Sequence, residues 1–186
     1  MADTGTTYLS FCGRIDQRSM DSLIGACTEL ANTGAECVYL MLSSPGGSVE
    51  SAIAAYNLLR GLPFRLVTHN VGSVDSMGNV LFLAGEERYA CPDSSFMFHG
   101  VGFNVNLKMR FDLRSLREKM DSVEGDQRKI ASIIADRTRL TREEIDELFL
   151  EAVTRQPDYA VRHGIAHEVR PLKIPAGRSI RHLDLK

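Results

Sequence analysis

The sequence has 186 residues, of which 44% are hydrophobic and 25% are charged. These values are typical of one globular domain with a buried core, and they exclude a mainly disordered chain. Lys and Arg number 22 against 24 Asp and Glu, so the formal net charge is −2. Without a broad basic surface, we expect no nucleic-acid binding by bulk electrostatics. A single domain over residues 1–186 is predicted.

The first residues, the apolar stretches and the cysteines indicate the compartment in which we expect the protein. The first residues lack the basic and apolar pattern of a signal peptide. The most apolar stretch, residues 77–84, is too short to span a bilayer. The four cysteines are widely spaced and form no CxxC pair. We therefore expect free thiols in the cytoplasm, rather than zinc ligands or disulfides, and no membrane segment.

Strands and helices are predicted to alternate through the first hundred residues. Apolar runs and helical spacing predict, in order, a strand at 8–12, a helix at 19–31, a strand at 37–42, a helix at 49–61, a strand at 65–68, a helix at 77–84, and strands at 88–91 and 96–99. The run at 37–42 is apolar on both faces, which is typical of a covered parallel strand. The alternation predicts an α/β fold with right-handed βαβ units.

From about residue 112 the pattern becomes helical. A roughly seven-residue spacing predicts a long helix with one apolar stripe, made of Leu113, Leu116, Met120, Val123, Ile130 and Ile134. Such a stripe packs on the parent domain or on another subunit. Thr141 and Glu144 form a capping-box pattern that begins a helix ending near residue 150. A last helical turn is predicted at 157–163, followed by a modestly basic tail.

Three short motifs could provide chemistry. Residues 44–48 (Ser-Pro-Gly-Gly-Ser) form a turn between a strand and a helix, where glycines allow a ligand to approach the backbone. Ser76 begins a buried helix, and His99 ends an apolar strand. Taken singly, these residues suit a tight turn, a helix cap and a structural histidine. Taken together, they suit nucleophilic catalysis, since a serine nucleophile requires a base and histidine is the usual one.

The three motifs, in this order, resemble the Clp protease proteolytic subunit family (ClpP). In that family a Ser-Pro-Gly-Gly turn supplies an oxyanion hole, a Ser-Met-Gly run holds the nucleophile, and a Met-x-His run holds the base. Residues 88–94 and 160–165 resemble further family segments, so the resemblance covers roughly residues 8–168. It implies a ClpP/crotonase-like α/β fold, a repeated ββα spiral with a protruding helical handle. The head would be 8–111, the handle 112–150, and the closing helix and tail 151–186.

The resemblance implies a serine endopeptidase that requires no cofactor and no metal. Ser76 would be the nucleophile, and His99 the general base. The backbone N–H groups of Gly47 and Met77 would form the oxyanion hole, which stabilises charge that develops in the transition state. A substrate backbone would bind as an added strand. The implied substrate-binding residues are Gly46, Ser48, Gly100, Val101 and Gly102, continuing to Phe103.

The third member of the triad differs from the family pattern. Ala152 stands where the family has an aspartate, and the adjacent Glu151 is the predicted replacement. Asp146 and Asp158 are weaker alternatives. Asp75 precedes the nucleophile, where the family has a small apolar residue. It either provides a charge at the helix N-terminus or hinders a nearby oxyanion.

The resemblance also implies partners. The substrate would be a peptide or an unfolded protein, cleaved inside a homo-oligomeric ring that could stack through the handle. Docking of a Clp-type ATPase is less expected, because only residues 1–7 precede the first predicted strand and the family has a longer leader. Two other functions remain open: a catalytically weak or inactive ring subunit, and a crotonase-type acyl-CoA enzyme. A Ser–Lys dyad using Lys119 or Lys108 would leave His99 without a role.

Overall fold

A computed structural model describes residues 5–102 and 112–183 of the chain. Two positions named above, Phe103 and Lys108, lie outside the described residues. The strands are β1 (Thr6–Cys12), β2 (Cys37–Ser44), β3 (Arg65–Asp75), β4 (Glu87–Ala90), β5 (Ser95–Met97), β6 (Thr154–Arg155), β7 (Glu168–Val169) and β8 (Ile180–His182). The helices are α1 (Gln17–Asn32), α2 (Val49–Gly61), α3 (Met77–Phe82), α4 (Leu113–Arg137), α5 (Arg142–Glu151) and α6 (Pro157–Arg162).

The sheet is built around β2, which pairs in parallel with β1 on one side and β3 on the other. β3 is the longest strand, with 11 residues; its first half pairs with β4 and its second half with β5. β8 continues the sheet beyond β1, and β6 pairs antiparallel with β5. The mixed α/β class predicted from the sequence is confirmed, and the short strands β6, β7 and β8 are additions to the prediction.

The C-terminal ends of β2 and β3 contain an irregularity that matters for the site. The pairing register between them shifts between Leu42 and Ser44. Such bulges redirect a strand and are common beside active sites. Beyond this shift β3 continues to Asp75, well past its predicted end at residue 68. The two strands therefore deliver the Ser-Pro-Gly-Gly turn and Ser76 to the same edge of the sheet.

Helix α3 lies in the middle of the hydrophobic core. All six of its residues are buried, and it contacts α2 and α4 as well as β2 and β3. Phe82 of this helix packs edge-on against Phe96 of β5, with ring centroids 5.2 Å apart. A helix so enclosed is rigid, because any movement would open cavities in a close-packed interior. The start of α3 is consequently a firm platform for a functional side chain.

One buried arginine connects three helix ends. Arg88 is 4% exposed, and its guanidinium donates hydrogen bonds to carbonyl oxygens at the C-terminal ends of α3, α4 and α6. The acceptors are the carbonyls of Gly85, Arg137, Gly164 and Ile165, at 2.7–3.0 Å. Burial lowers the pKa of Arg88 to about 10. The cation nevertheless suits this place, since helix C-termini present unpaired carbonyls and partial negative charge.

Two further predictions concern the cysteines and membrane-spanning segments. The four cysteines are free thiols, as predicted. Among the helices within residues 5–102 and 112–183, none is both long enough and apolar enough to cross a bilayer.

Candidate active site

Segments from β2, β3 and β5 meet at a cavity of about 110 Å³. Backbone and polar groups line it together with apolar side chains from α3, α4 and α5. The lining residues are Gly47, Val49, Ser76, Met77, Asn79, Val80, Phe98, His99, Gly100, Val101, Gly102, Ile130, Ile134 and Phe149. The predicted nucleophile, base and oxyanion-hole residues therefore share one cavity.

The glycine turn has a backbone that only glycine tolerates. Gly46 has φ 84° and Gly47 has φ 152°. A Cβ on Gly47 would lie 1.9 Å from the Ile15 carbonyl oxygen, and one on Gly46 would lie 2.6 Å from the Ser76 Cβ. The Ile15 N–H donates to the Gly46 carbonyl at 2.9 Å, and Ser48 N–H donates to the Ile15 carbonyl at 2.8 Å. The turn is thus fixed directly against Ser76.

Ser76 lies at a sharp change of direction between β3 and α3. Its φ of 53° and ψ of −124° are strained for a residue with a side chain. The Ser76 N–H donates to the Met97 carbonyl at 2.8 Å, which joins the turn to β5. The serine is the N-cap residue of α3, but its side chain makes no capping hydrogen bond. The hydroxyl is therefore available to the cavity, in contrast to the helix-cap role that a lone serine would suggest.

Asn79 supports this turn and was not predicted from the sequence. Its side-chain nitrogen donates to the Ser76 carbonyl at 3.1 Å and to the Met97 carbonyl at 2.8 Å. The residue is 1% exposed, so both bonds are shielded from water. A polar residue inside the apolar run at 77–84 was the available signal, because a buried amide requires partners.

The two amides predicted for the oxyanion hole line the cavity. Met77 is the first residue of α3, where N–H groups have no partner within the helix. Among the hydrogen bonds of residues 5–102 and 112–183, none outside regular helices and strands is donated by the N–H of Gly47 or Met77. Free N–H groups at a helix start favour negative charge. The pair is chemically suited to an oxyanion.

His99 follows β5 and is exposed at the cavity mouth. Its Nδ1 lies 2.8 Å from the Gly100 carbonyl oxygen. A carbonyl oxygen only accepts, so Nδ1 bears the hydrogen and Nε2 of the neutral ring is left free to accept a proton. Within the described part of the chain, no hydrogen bond joins His99 to Ser76. Both residues line the cavity, and a hydrogen bond between them requires a rearrangement at the cavity mouth.

Glu151, the predicted third member, forms an ion pair with Arg155 and does not line the cavity. Arg155 is itself held by β6, which pairs with Phe96, and lies 4.9 Å from the Tyr159 ring centre. Ala152 ends α5 in the left-handed conformation, with φ 51°. Its methyl group offers no hydrogen-bond acceptor to a histidine. The glutamate remains a prediction.

The other predicted carboxylates are also placed. Asp146 pairs with Arg142 at 3.3 Å on α5, and Asp158 lies exposed in the first turn of α6. Asp75 ends β3 opposite Met97 of β5. Burial raises the pKa of the Asp75 carboxyl, while the Ser73 side chain and the charge of His99 oppose this rise. Asp75 therefore lies beside the end of the strand that His99 follows.

The predicted substrate-binding residues fall into two groups. Gly100, Val101 and Gly102 line the cavity. The Gly100 N–H donates to the Phe149 carbonyl at 3.0 Å, which anchors this segment to α5. Ser48 lies outside the cavity lining, where its hydroxyl caps α2 by accepting from the Ser51 N–H at 3.2 Å. Gly46 also lies outside the lining, behind Ser76.

Comparison with known proteins identifies the family. The family description "Clp protease" matches residues 6–172. This chain belongs to the Clp protease family. ATP-dependent Clp protease proteolytic subunit 2 of Pseudomonas aeruginosa is 24% identical over 166 residues, covering 84% of this chain and 77% of that protein. Proteolytic subunit 1 of Corynebacterium jeikeium is 31% identical over 114 residues, covering 58% of this chain and 56% of that protein.

A solved structure supports the same fold. A mutant of ClpP1 from Listeria monocytogenes superposes with a TM-score of 0.79, covering 92% of this chain and 94% of that chain. Sequence identity in that comparison is 19%, so the likeness concerns the fold alone. The ClpP resemblance noted from the sequence motifs is thereby confirmed at the level of family and fold.

Proposed function

We propose that this protein is a serine endopeptidase of the ClpP type that cleaves peptides or unfolded proteins. The observation that supports this most directly is the shared cavity, in which Ser76, His99 and the amides of Gly47 and Met77 meet. The strained backbone at Ser76 adds support, because strain at a non-glycine residue persists where surrounding structure enforces it, often at active sites. Relatives named as proteolytic subunits agree with this chemistry.

The reaction would proceed by acyl transfer. His99 Nε2 takes the proton of the Ser76 hydroxyl as the oxygen attacks the scissile carbonyl. The negative charge on that carbonyl oxygen is stabilised by the N–H groups of Gly47 and Met77. The imidazolium then returns the proton to the leaving amine, and the C–N bond breaks. Water, deprotonated by His99, hydrolyses the acyl-serine ester and restores the enzyme.

Substrate would bind through its backbone and one apolar side chain. The Gly100–Gly102 segment would pair with an extended peptide. The apolar side of the cavity, formed by Val80, Ile130, Ile134 and Phe149, would accept an apolar side chain of the substrate. A site of this kind selects extended peptides with a fitting apolar side chain, and it does not select by charge. This agrees with the nearly neutral net charge of the protein.

Assembly into a homo-oligomeric ring in the cytoplasm is part of the proposal. Leu113, Leu116 and Met120 lie exposed in a stripe on α4, and an exposed apolar stripe of this kind favours contact with another subunit. The ATP-dependent relatives suggest a Clp-type ATPase as a partner. The region that would contact it, near the N-terminus, includes residues 1–4, which lie outside the described residues.

A fluorophosphonate probe tests the proposal, because it phosphonylates serines that an enzyme has activated. The native oligomer should be labelled at Ser76, and Ser76→Ala should abolish the labelling. Ser132→Ala, which removes an exposed serine on α4, is the matched control and should label fully. Labelling that persists in Ser76→Ala would exclude the proposed nucleophile.

The second candidate is a catalytically weak or inactive ring subunit of the same fold. Two observations favour it: Ala152 replaces the expected aspartate, and Glu151 is engaged by Arg155. This candidate predicts negligible labelling of the wild type at any pH. Fast hydrolysis of an unstructured peptide by the purified protein, abolished in Ser76→Ala, would eliminate it.

A further inference from the structure

A triad carboxylate performs two tasks for its histidine. It accepts a hydrogen bond from Nδ1–H, which fixes the tautomer that leaves Nε2 free, and its negative charge stabilises the imidazolium formed during proton transfer. At the position where the family has this carboxylate, the chain has Ala152, and Glu151 beside it is paired with Arg155. Any activity at Ser76 therefore requires other groups for these tasks.

The first task is met by the histidine's own neighbour in the chain. The Gly100 carbonyl oxygen lies 2.8 Å from His99 Nδ1, so it accepts the Nδ1 hydrogen. The peptide unit before this carbonyl is anchored, since its Gly100 N–H donates to the Phe149 carbonyl at 3.0 Å. A Cβ on Gly100 would meet Gln127 Oε1 at 3.2 Å and Phe149. The segment is thus closely packed, and the carbonyl holds its direction.

The second task requires a negative charge near His99, and Asp75 supplies one. In the parallel pairing of β3 with β5, Asp75 lies opposite Met97, two residues before His99. Asp75 is half-buried, and the charge of His99 lowers the pKa of its carboxyl against the upward effect of burial. The parallel register thus places a carboxylate beside the strand end that carries His99.

Other polar groups around Asp75 and His99 are either uncharged or already in an ion pair. On α5 and β6, Glu151 and Arg155 form their own ion pair. On α4, the side chain next to Gly100 is the uncharged Gln127. Ser73, on the same strand as Asp75, contributes a hydroxyl. Of these groups, all within the described part of the chain, Asp75 is therefore the one whose negative charge is left to act on His99.

We propose that Asp75 and the Gly100 carbonyl share the role of the missing triad aspartate, the carbonyl fixing the His99 tautomer and Asp75 stabilising its positive charge. This inference rests on the proposed peptidase function. Asp75 acts through His99 and is a positioning residue. The site would then need neither Glu151 nor an aspartate at position 152.

The experiment compares Asp75→Asn, Asp75→Glu and Glu151→Gln by the rate of fluorophosphonate labelling as a function of pH. Loss of the charge in Asp75→Asn should slow labelling about tenfold at neutral pH, because the imidazolium formed during proton transfer loses a neighbouring negative charge. This loss should shrink toward acid pH, where the Asp75 carboxyl of the wild type, whose pKa burial raises, is itself neutral. Asp75→Glu should recover most of the rate, and Glu151→Gln should match the wild type. Equal melting temperatures confirm that each variant is folded.

A second measurement does not depend on activity. In protein labelled with ¹⁵N-histidine, and assigned with His99→Gln, the neutral His99 ring should have its hydrogen on Nδ1. Hydrogen on Nε2 would overturn the role of the Gly100 carbonyl. A labelled wild type whose rate profile is unchanged by Asp75→Asn, or lost in Glu151→Gln, would overturn the role of Asp75. An unlabelled wild type would overturn the proposed function itself, so the two failures are distinct.

Discussion

Asn79 and Ser76 are joined across the first turn of α3 by a hydrogen bond of 3.1 Å from the Asn79 side-chain nitrogen to the Ser76 carbonyl. The same nitrogen donates to the Met97 carbonyl of β5, so one amide group connects the peptide of Ser76 to the neighbouring strand. The Asn79 Oδ1 atom is buried without a partner among the described residues. This orphaned acceptor is a cost to stability that a purely structural residue would avoid.

Asn79→Ala should therefore weaken both the fold and the site. It removes two buried hydrogen bonds, to the Ser76 and Met97 carbonyls, each of which keeps one backbone donor. The free energy of unfolding should therefore fall by about 1 kcal/mol. Labelling of Ser76 by a fluorophosphonate should slow as well, since the strained turn relaxes. Urea unfolding and labelling rates measure the two effects. Asn57→Ala, on the exposed face of α2, should change neither, and an Asn79→Ala protein with the wild-type rate would contradict this account.

Gly47→Ala should prevent the turn from forming. The added Cβ would lie 1.9 Å from the Ile15 carbonyl oxygen, and the φ of 152° disfavours any side chain. We expect a loss of several kcal/mol of stability, about 3 or more, and no labelling of any protein that folds. Gly25→Ala is the control, because nothing lies within 4 Å of that position in α1. It should stabilise the helix by about 0.5–1 kcal/mol, as thermal unfolding would reveal.

Acid should destabilise the fold through His69. This residue is fully buried, it accepts from the Tyr39 hydroxyl at 2.7 Å, and it donates to the Arg170 carbonyl at 3.1 Å. Burial lowers its pKa from 6.5 to about 4. The unfolded chain thus binds more protons between pH 6.5 and pH 4, so the free energy of unfolding falls as the pH drops through this window. The loss attributable to His69 should approach about 3 kcal/mol near pH 4.

Denaturant unfolding at several pH values measures this slope. His69→Gln should be less stable at pH 7 but should show a shallower decline between pH 6.5 and pH 4. His182→Gln, which changes an exposed histidine of β8, should decline as the wild type does. If the free energy of unfolding declined with pH equally in His69→Gln and the wild type, His69 would not be the source of the acid sensitivity.

The exposed stripe on α4 should determine the assembly state. Leu113 is 65% exposed and Met120 is 58% exposed, which favours burial against another copy. Leu116→Glu combined with Met120→Glu should reduce the mass measured by light scattering at micromolar concentration. Ser122→Glu places one negative charge on the opposite face of the helix and should keep the wild-type mass. A monomeric wild type would contradict the proposed ring.

The main residues of the candidate site could be proposed from the sequence because their chemistry is local in the chain. The glycine turn at 44–48 and the start of the helix at Ser76 each combine backbone requirements with a reactive group within a few residues. Their order along the chain completed the resemblance. The alternation of apolar runs located most strands and helices for the same reason, since burial on two faces leaves a continuous apolar run.

What could not be predicted depends on distant partners. The pairing of Glu151 with Arg155 depends on how β6 adds to β5, and β6 has too few residues to show a pattern. β8 has three exposed residues, so its pairing with β1 leaves no apolar signature. Asn79 and Arg88 looked like ordinary polar residues in apolar surroundings. Their roles follow only from carbonyl groups contributed by other segments.

The hydrogen bonds of Arg88 determine which helix ends unfold together. Its guanidinium bonds simultaneously to carbonyls that follow α3, end α4 and follow α6. None of these helix ends can detach without breaking charge-assisted bonds inside a dry interior. Amide hydrogens in the last turns of α4 and α6 should therefore exchange with deuterium together, as one cooperative unit, whereas the solvent-exposed first turns of α4 should exchange much sooner.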